Sequence, residues 1–173
     1  MKWIAFLLVA AAAVAGVVAS STPASGHAGE NAAPILGITI PPGYRDWRLI
    51  SVAHEEGSLN DIRAILGNDV AFEAYRDGKL PFPDGAIIAR LAWNYVPSEE
   101  NNKVFGRAQS FVAGPATNVQ FMVKDSRKYA ATGGWGFAQF TDGKPADDAL
   151  LKTCFGCHEP AKTRDFLFTH YAP

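Results

Sequence analysis

Both cysteines of this 173-residue chain lie in one pentapeptide near its end, Cys-Phe-Gly-Cys-His at 154–158. Cys-x-x-Cys-His is the spacing of a covalent c-type haem attachment site. On a helix, Cys154, Cys157 and His158 stand at i, i+3 and i+4, so two thiols and an imidazole leave one face. Each thiol can then add to one vinyl group of the porphyrin, while the adjacent imidazole supplies the proximal iron ligand. The single motif gives one haem c per chain.

Two other uses of the same residues fit less well. A structural zinc needs a fourth ligand, which His27, His54 or His170 would have to supply, and none stands at a finger spacing. A thioredoxin-like pair belongs at the start of a helix that follows an early parallel strand. Here the motif is close to the C-terminus.

The other end of the chain points to export. Lys2 precedes an apolar run from Trp3 to Ala19, and small and polar residues follow up to Ala28. This is the layout of a secretory signal peptide with its cleavage region, so residues 1–28 are assigned to export and the mature protein to the periplasm. The alternative is an uncleaved anchor, since the run approaches spanning length. Haem attachment to such a motif takes place outside the cytoplasm in bacteria, so signal and motif support each other. Residues 29–43, rich in Pro, Gly and Ala, read as an extended leader, and 44–173 as a single haem-binding domain.

With 16 Lys plus Arg against 17 Asp plus Glu, the chain is nearly neutral and has no basic stretch interleaved with aromatics. Nucleic acid is therefore not expected as a partner. The 11 Phe, 5 Tyr and 4 Trp provide an aromatic-rich interior. A porphyrin would use such surroundings, although ordinary cores do as well.

Local patterns predict a mainly antiparallel α+β fold. Strand-like segments run over Arg48–His54, Asp61–Leu66, Ala86–Trp93, Arg107–Ala113, Asn118–Lys124 and Trp135–Thr141. Asn68 caps a short helix over Asp69–Asp77 that stops at Gly78, and Lys79–Gly85, with two prolines, is a loop. Asp125–Tyr129 reads as one helical turn. Asp142-Gly143 turns the chain, and Asp147 or Asp148 caps the helix that carries the cysteines.

Such an architecture differs from the compact helical cytochromes that carry their attachment motif near the mature N-terminus. Instead the chain resembles the cytochrome P-460 and cytochrome c′-beta group over nearly the whole mature length. The resemblance rests on Gly-Tyr-Arg-Asp-Trp at 43–47, Asp-Ile-Arg at 61–63, Leu-Gly-Asn at 66–68 and Phe-Pro-Asp-Gly at 82–85. It continues through Phe-Met-Val-Lys-Asp-Ser at 121–126, Gly-Gly-Trp-Gly-Phe at 133–137 and the Cys-Phe-Gly-Cys-His segment. It implies a periplasmic, β-rich, usually dimeric protein with one c-type haem and an open distal position. Members either oxidise hydroxylamine or bind nitric oxide and related small ligands.

Departures from the family pattern separate these two activities. Hydroxylamine-oxidising members bond a lysine to the porphyrin ring, and the matching position, six residues after Asp84, is Arg90. A guanidinium stays protonated and is a poor nucleophile, so no such link is expected. Those members also use a distal glutamate, where this chain has Gln120, four residues before Lys124. An amide cannot take up a proton near neutral pH. Arg63 matches another distal arginine. On alternating strands, Arg63, Arg90 and Gln120 either enter the distal pocket or face solvent. Lys79 is a remote substitute for the missing amine.

The leading expectation is a periplasmic c-type cytochrome that binds nitric oxide or a similar small ligand opposite His158. Phe72, Phe82, Phe111, Phe121 and Phe137 are candidate walls. The alternatives are a hydroxylamine- or nitric oxide-oxidising enzyme, and a simple one-electron carrier that serves a redox partner and has a sixth protein ligand. Met122 is the sulfur candidate for that ligand, although packing is the ordinary role of such a methionine. His54 is expected to meet solvent, and His170 to lie at the surface or the haem edge.

Overall fold

The computed structural model describes residues 35–172. The expected signal peptide, the alternative anchor and the first part of the leader lie outside the described residues. Six strands follow one another as an antiparallel meander, each paired with its sequence neighbours. They are β1 (Arg48–Glu55), β2 (Asp61–Gly67), β3 (Ile87–Pro97), β4 (Phe111–Lys124), β5 (Trp135–Thr141) and β6 (Lys144–Pro145). Helices α1 (Asp69–Arg76), α2 (Glu99–Phe105) and α3 (Asp148–His158) complete the α+β fold. Among the described residues, no helix is long and apolar enough to cross a membrane.

The punctuation residues act as their chemistry requires. Asn68 caps α1 by accepting from Ala71 N at 3.0 Å, and Gly78 takes the left-handed conformation at φ 62°. Its carboxamide also accepts from Ile87 N at 3.0 Å and donates to Gly85 O at 2.8 Å, tying the helix start to β3. Asp142 and Gly143, both at positive φ, turn β5 into β6. Tyr129 N donates to Asp125 O at 3.0 Å, which closes the single helical turn expected there.

Two expectations need correction. The separate strands at Arg107–Ala113 and Asn118–Lys124 are one 14-residue strand, and Arg107–Ser110 lies outside it. Register shifts near Trp93 let β3 and β4 stay paired past Gly114 and Pro115. Helix α2, which had no sequence assignment, begins at a Ser98 cap and ends at Gly106 in the left-handed conformation. Both Val104 and Phe105 are exposed, so α2 presents no apolar stripe of the kind that announces a helix.

Alternation along the strands gives the sheet two faces, each with its own core. One face packs Ile65, Ile88, Trp135 and Phe137 against α1, α3 and Leu167. The other packs Leu66, Ala89, Leu91, Phe121, Ala138 and Phe140 against Ile38 and Tyr129. Ile38 is 5% exposed, so the leader is docked onto the sheet from this residue onward. Burial of Phe121 and Ile50, both essentially solvent-free, contributes roughly 1.5–3 kcal/mol each.

Candidate functional site

The attachment motif occupies the last turn of α3, where the helix is fixed from both ends. Asp147 accepts from Leu150 N at 2.8 Å, and Leu151 is buried beneath the sheet-facing side. Cys154 is half-buried and packs with Phe155 against the first core, while Cys157 is exposed. Burial pushes the Cys154 thiol pKa up, and the nearby Cys157 acts in the same direction.

After α3 the chain makes a 3-10 turn, Glu159–Arg164, and then reverses through Asp165 and Phe166, at φ 52° and 67°. The reversal brings Phe166 O to 2.7 Å from His158 Nδ1. A carbonyl can only accept, so Nδ1 carries the proton and donates, and Nε2 keeps the lone pair. Burial lowers the His158 pKa, which favours the neutral ring. The rings of Phe137 and Phe168 flank the imidazole, with centroids at 5.0 and 4.9 Å.

Cys154, Cys157 and His158 all line one cavity of about 860 Å³ between α3, the C-terminal segment and the first face of the sheet. Arg63, Arg90 and Gln120 line it too, so all three point into the cavity. Gln120 and Arg90 are direct cross-strand partners, and Ile65 sits opposite Arg90 on β2.

The polar groups on the sheet wall are bonded to one another. Asp61, 3% exposed, accepts from Arg63 Nη2 at 2.6 Å through Oδ1 and from Arg90 Nη2 at 2.6 Å through Oδ2. Arg63 reaches Glu55 Oε1 at 3.3 Å, and Arg90 Nη1 donates to Asn118 Oδ1 at 3.0 Å. Gln120 Nε2 donates to Gln139 Oε1 at 2.6 Å. Burial, and then the charge of Arg63, draw the Arg90 pKa down, yet a guanidinium stays cationic at neutral pH.

Asp61, Asn118 and Gln139 carried no assignment from sequence. Their partnerships depend on strand register, which spacing within one strand does not specify. The motif Asp-Ile-Arg at 61–63 did hold one usable signal, since residues two apart on a strand share a face.

The aromatic candidates divide. Phe137 is in the cavity wall beside His158, and Phe168, unassigned from sequence, completes that side. Phe121 borders the cavity but packs into the core on the opposite face, and Phe82 is buried against Tyr75 and Trp135. Phe72 lies under the Arg48 guanidinium, and Phe111 stacks on Tyr95. Thus Phe137 and Phe168 flank the imidazole, and the facing strand wall combines the polar Arg63, Arg90 and Gln120 with the apolar Ile65, Ile88 and Met122.

Other candidates are placed as follows. Met122 lines the cavity as the cross-strand partner of Phe137. Lys79 is exposed in its loop and is not in the cavity wall. His54 is exposed and stacks on Tyr95 at 3.8 Å. His170, also exposed, lines the cavity and accepts from Arg164 Nη1 at 2.7 Å. Among the described residues, no cluster of three or more His, Cys, Asp or Glu is arranged to hold a metal ion without a cofactor.

These residues suit a haem. The donor set is two thiols and an imidazole nitrogen on one helical turn, all opening into one cavity. The Tyr75 hydroxyl at its wall is buried and faces the Thr169 side chain without a hydrogen bond of full geometry, and burial holds its pKa above the ordinary value. Such a poorly met donor is costly unless a bound group or water meets it.

An antiparallel meander closed by a C-terminal Cys-x-x-Cys-His helix over a deep cavity defines a β-rich haem protein of the cytochrome class. The sequence profile of the Cytochrome P460 family matches residues 41–169, and the chain belongs to that family. Membership brings a haem cofactor with it. No curated protein matches the chain.

Proposed function

We propose that the chain is an exported c-type cytochrome that holds one haem through thioethers at Cys154 and Cys157 and ligates its iron with His158 Nε2. On the side away from His158 it binds a small ligand such as nitric oxide. The haem supplies a redox-active iron that takes a diatomic ligand.

The observation that carries this reading is the mutual saturation of the polar wall. Both carboxylates in it, Asp61 and Glu55, are bonded to arginines, and Gln120 is bonded to Gln139. Hydroxylamine oxidation requires a group that removes protons, and an amide in the position of the family's glutamate is no such base. Arg90, engaged with Asp61 and Asn118, is likewise no substitute for a nucleophilic lysine. A neutral diatomic makes neither demand. The export signal and the motif support a periplasmic location, and the family resemblance supports a homodimer.

Absorption spectroscopy of the reduced protein tests this reading. Nitric oxide and carbon monoxide should each shift the Soret band, and the mass should equal the mature chain plus one haem with two thioether links. A low-spin spectrum indifferent to both gases would favour the carrier reading, with Met122 as the sixth ligand. A third covalent link together with hydroxylamine turnover would establish the enzyme instead.

A further inference from the structure

Lys124 and Asp165 form a buried ion pair that no part of the cavity wall explains. Lys124 Nζ donates to Asp165 Oδ1 at 2.7 Å and Oδ2 at 2.9 Å, and also to Gly133 O at 3.2 Å. Their side chains are 5% and 7% exposed. Asp165 Oδ2 also accepts from Phe82 N at 2.8 Å. A pair this deep contributes little net stability, because both charges have left water. Its use must lie in what it fixes.

What it fixes is the reversal after α3. Asp165 is held in the left-handed conformation, which favours glycine, and the next residue, Phe166, is held there too. The Phe166 ring rests on Gly133, where any Cβ would overlap it, and against the Phe155 ring at 5.6 Å. Phe166 N donates to Ala161 O at 3.0 Å. Side chain, ring and amide together anchor this reversal, and the Phe166 carbonyl within it meets His158 Nδ1 at 2.7 Å.

We infer that Lys124 and Asp165 are positioning residues for the iron ligand, clamping the Phe166 carbonyl so that His158 presents Nε2 in a fixed orientation and with raised basicity. The inference rests on the reading of His158 as the iron ligand. A carbonyl held on Nδ1–H makes the imidazole a stronger donor, which favours the ferric state. Loosening the carbonyl weakens that donation.

Resonance Raman spectroscopy of the reduced holoprotein, with potentiometry, tests it. The native protein, high-spin when reduced, should show an iron–imidazole stretching band, and a high-spin ferrous haem without that band would overturn both the ligand assignment and this inference. A low-spin ferrous haem would overturn the open-site reading instead, and the potential then decides the inference. Lys124→Met with Asp165→Asn removes both charges together, so neither is left buried alone. The band should fall in frequency and the reduction potential should rise. Lys124→Gln with Asp165→Asn, which keeps an uncharged donor and acceptor in place of the pair, should shift both in the same direction to a smaller extent and decides the question if the first double variant does not fold.

Asp84→Asn serves as the control. Asp84 accepts from Ser126 N at 2.7 Å and Ser126 Oγ at 2.8 Å, beside β4 but off the reversal, so the band should stay in place. A native band that is unmoved in the folded Lys124 and Asp165 variants would refute the positioning role while leaving ligation by His158 intact. A band moved equally by Asp84→Asn would refute it as well, by showing general loosening.

Discussion

At the level of single residues, Asp61 does the most for the sheet wall. It compensates two guanidiniums at once from a nearly solvent-free position, each oxygen taking one arginine. Asp61→Asn removes the charge and one of the two acceptor oxygens with little change of shape, so at most one of Arg63 and Arg90 keeps its bond there, and the other is left with Glu55 or Asn118 alone. Stability should fall by about 3–5 kcal/mol, the usual result of breaking a buried charge pair from one side. Urea unfolding of the holoprotein checks this, and a loss under about 1 kcal/mol would mean that solvent already screens the cluster. Sequence reasoning located Arg63, Arg90 and Gln120 but left their direction open. A strand residue faces one of two sides, and composition around Ala89-Arg90-Leu91 is compatible with either.

Among the elements, the helix starts were the most legible, because a cap is a local event that two or three residues determine. Asn68 and Asp147 both accept from the backbone three residues on, as their positions before the helices suggested. They should differ in cost. Asp147→Ala loses one capping bond, about 1 kcal/mol. Asn68→Ala also loses the bonds to Ile87 N and Gly85 O, so about 2 kcal/mol or more is expected. Equal shifts in the urea midpoint would show that the extra bonds are replaced by water. Helix α2 was missed despite good caps at Ser98 and Gly106, because hydrophobic periodicity is the primary signal and α2 buries none of its residues. The length of β4 was also hidden. Gly114 and Pro115, residue types that weaken a strand interior, fall in the gap between the two expected strands, yet they sit inside β4 where its pairing with β3 shifts.

For the molecule as a whole, the two cores stand in different relations to the cofactor. The core around Leu91 and Phe140 lies on the other face of the sheet and touches the cavity only at Phe121 and Ala138. The core around Phe137 and Leu167 borders the cavity directly. Cys154→Ala with Cys157→Ala should therefore yield a chain that keeps its sheet signal in far-ultraviolet circular dichroism. Its melting temperature should be lower than that of the holoprotein, since a group bound only by the folded state stabilises that state. Complete loss of the sheet signal would show that the cavity side is needed for folding. The motif at 154–158 placed two thiols and an imidazole on one helical turn, as its spacing suggested, and all three line one cavity. The Phe166 carbonyl and the Lys124–Asp165 pair that support them were invisible, because their effect arises only when β4 and the C-terminal segment meet.

Strand β4 sends Gln120, Met122 and Lys124 to the same side, at the polar wall, beside Phe137 and at the Asp165 clamp respectively. One stretch of five residues thus acts as a ruler of roughly 13 Å from the polar wall of the cavity to the buried ion pair. Inserting or deleting a single residue there would turn every rung to the opposite face. The polar wall and the C-terminal reversal are therefore cut to a common length, and a change of register in β4 resets both together.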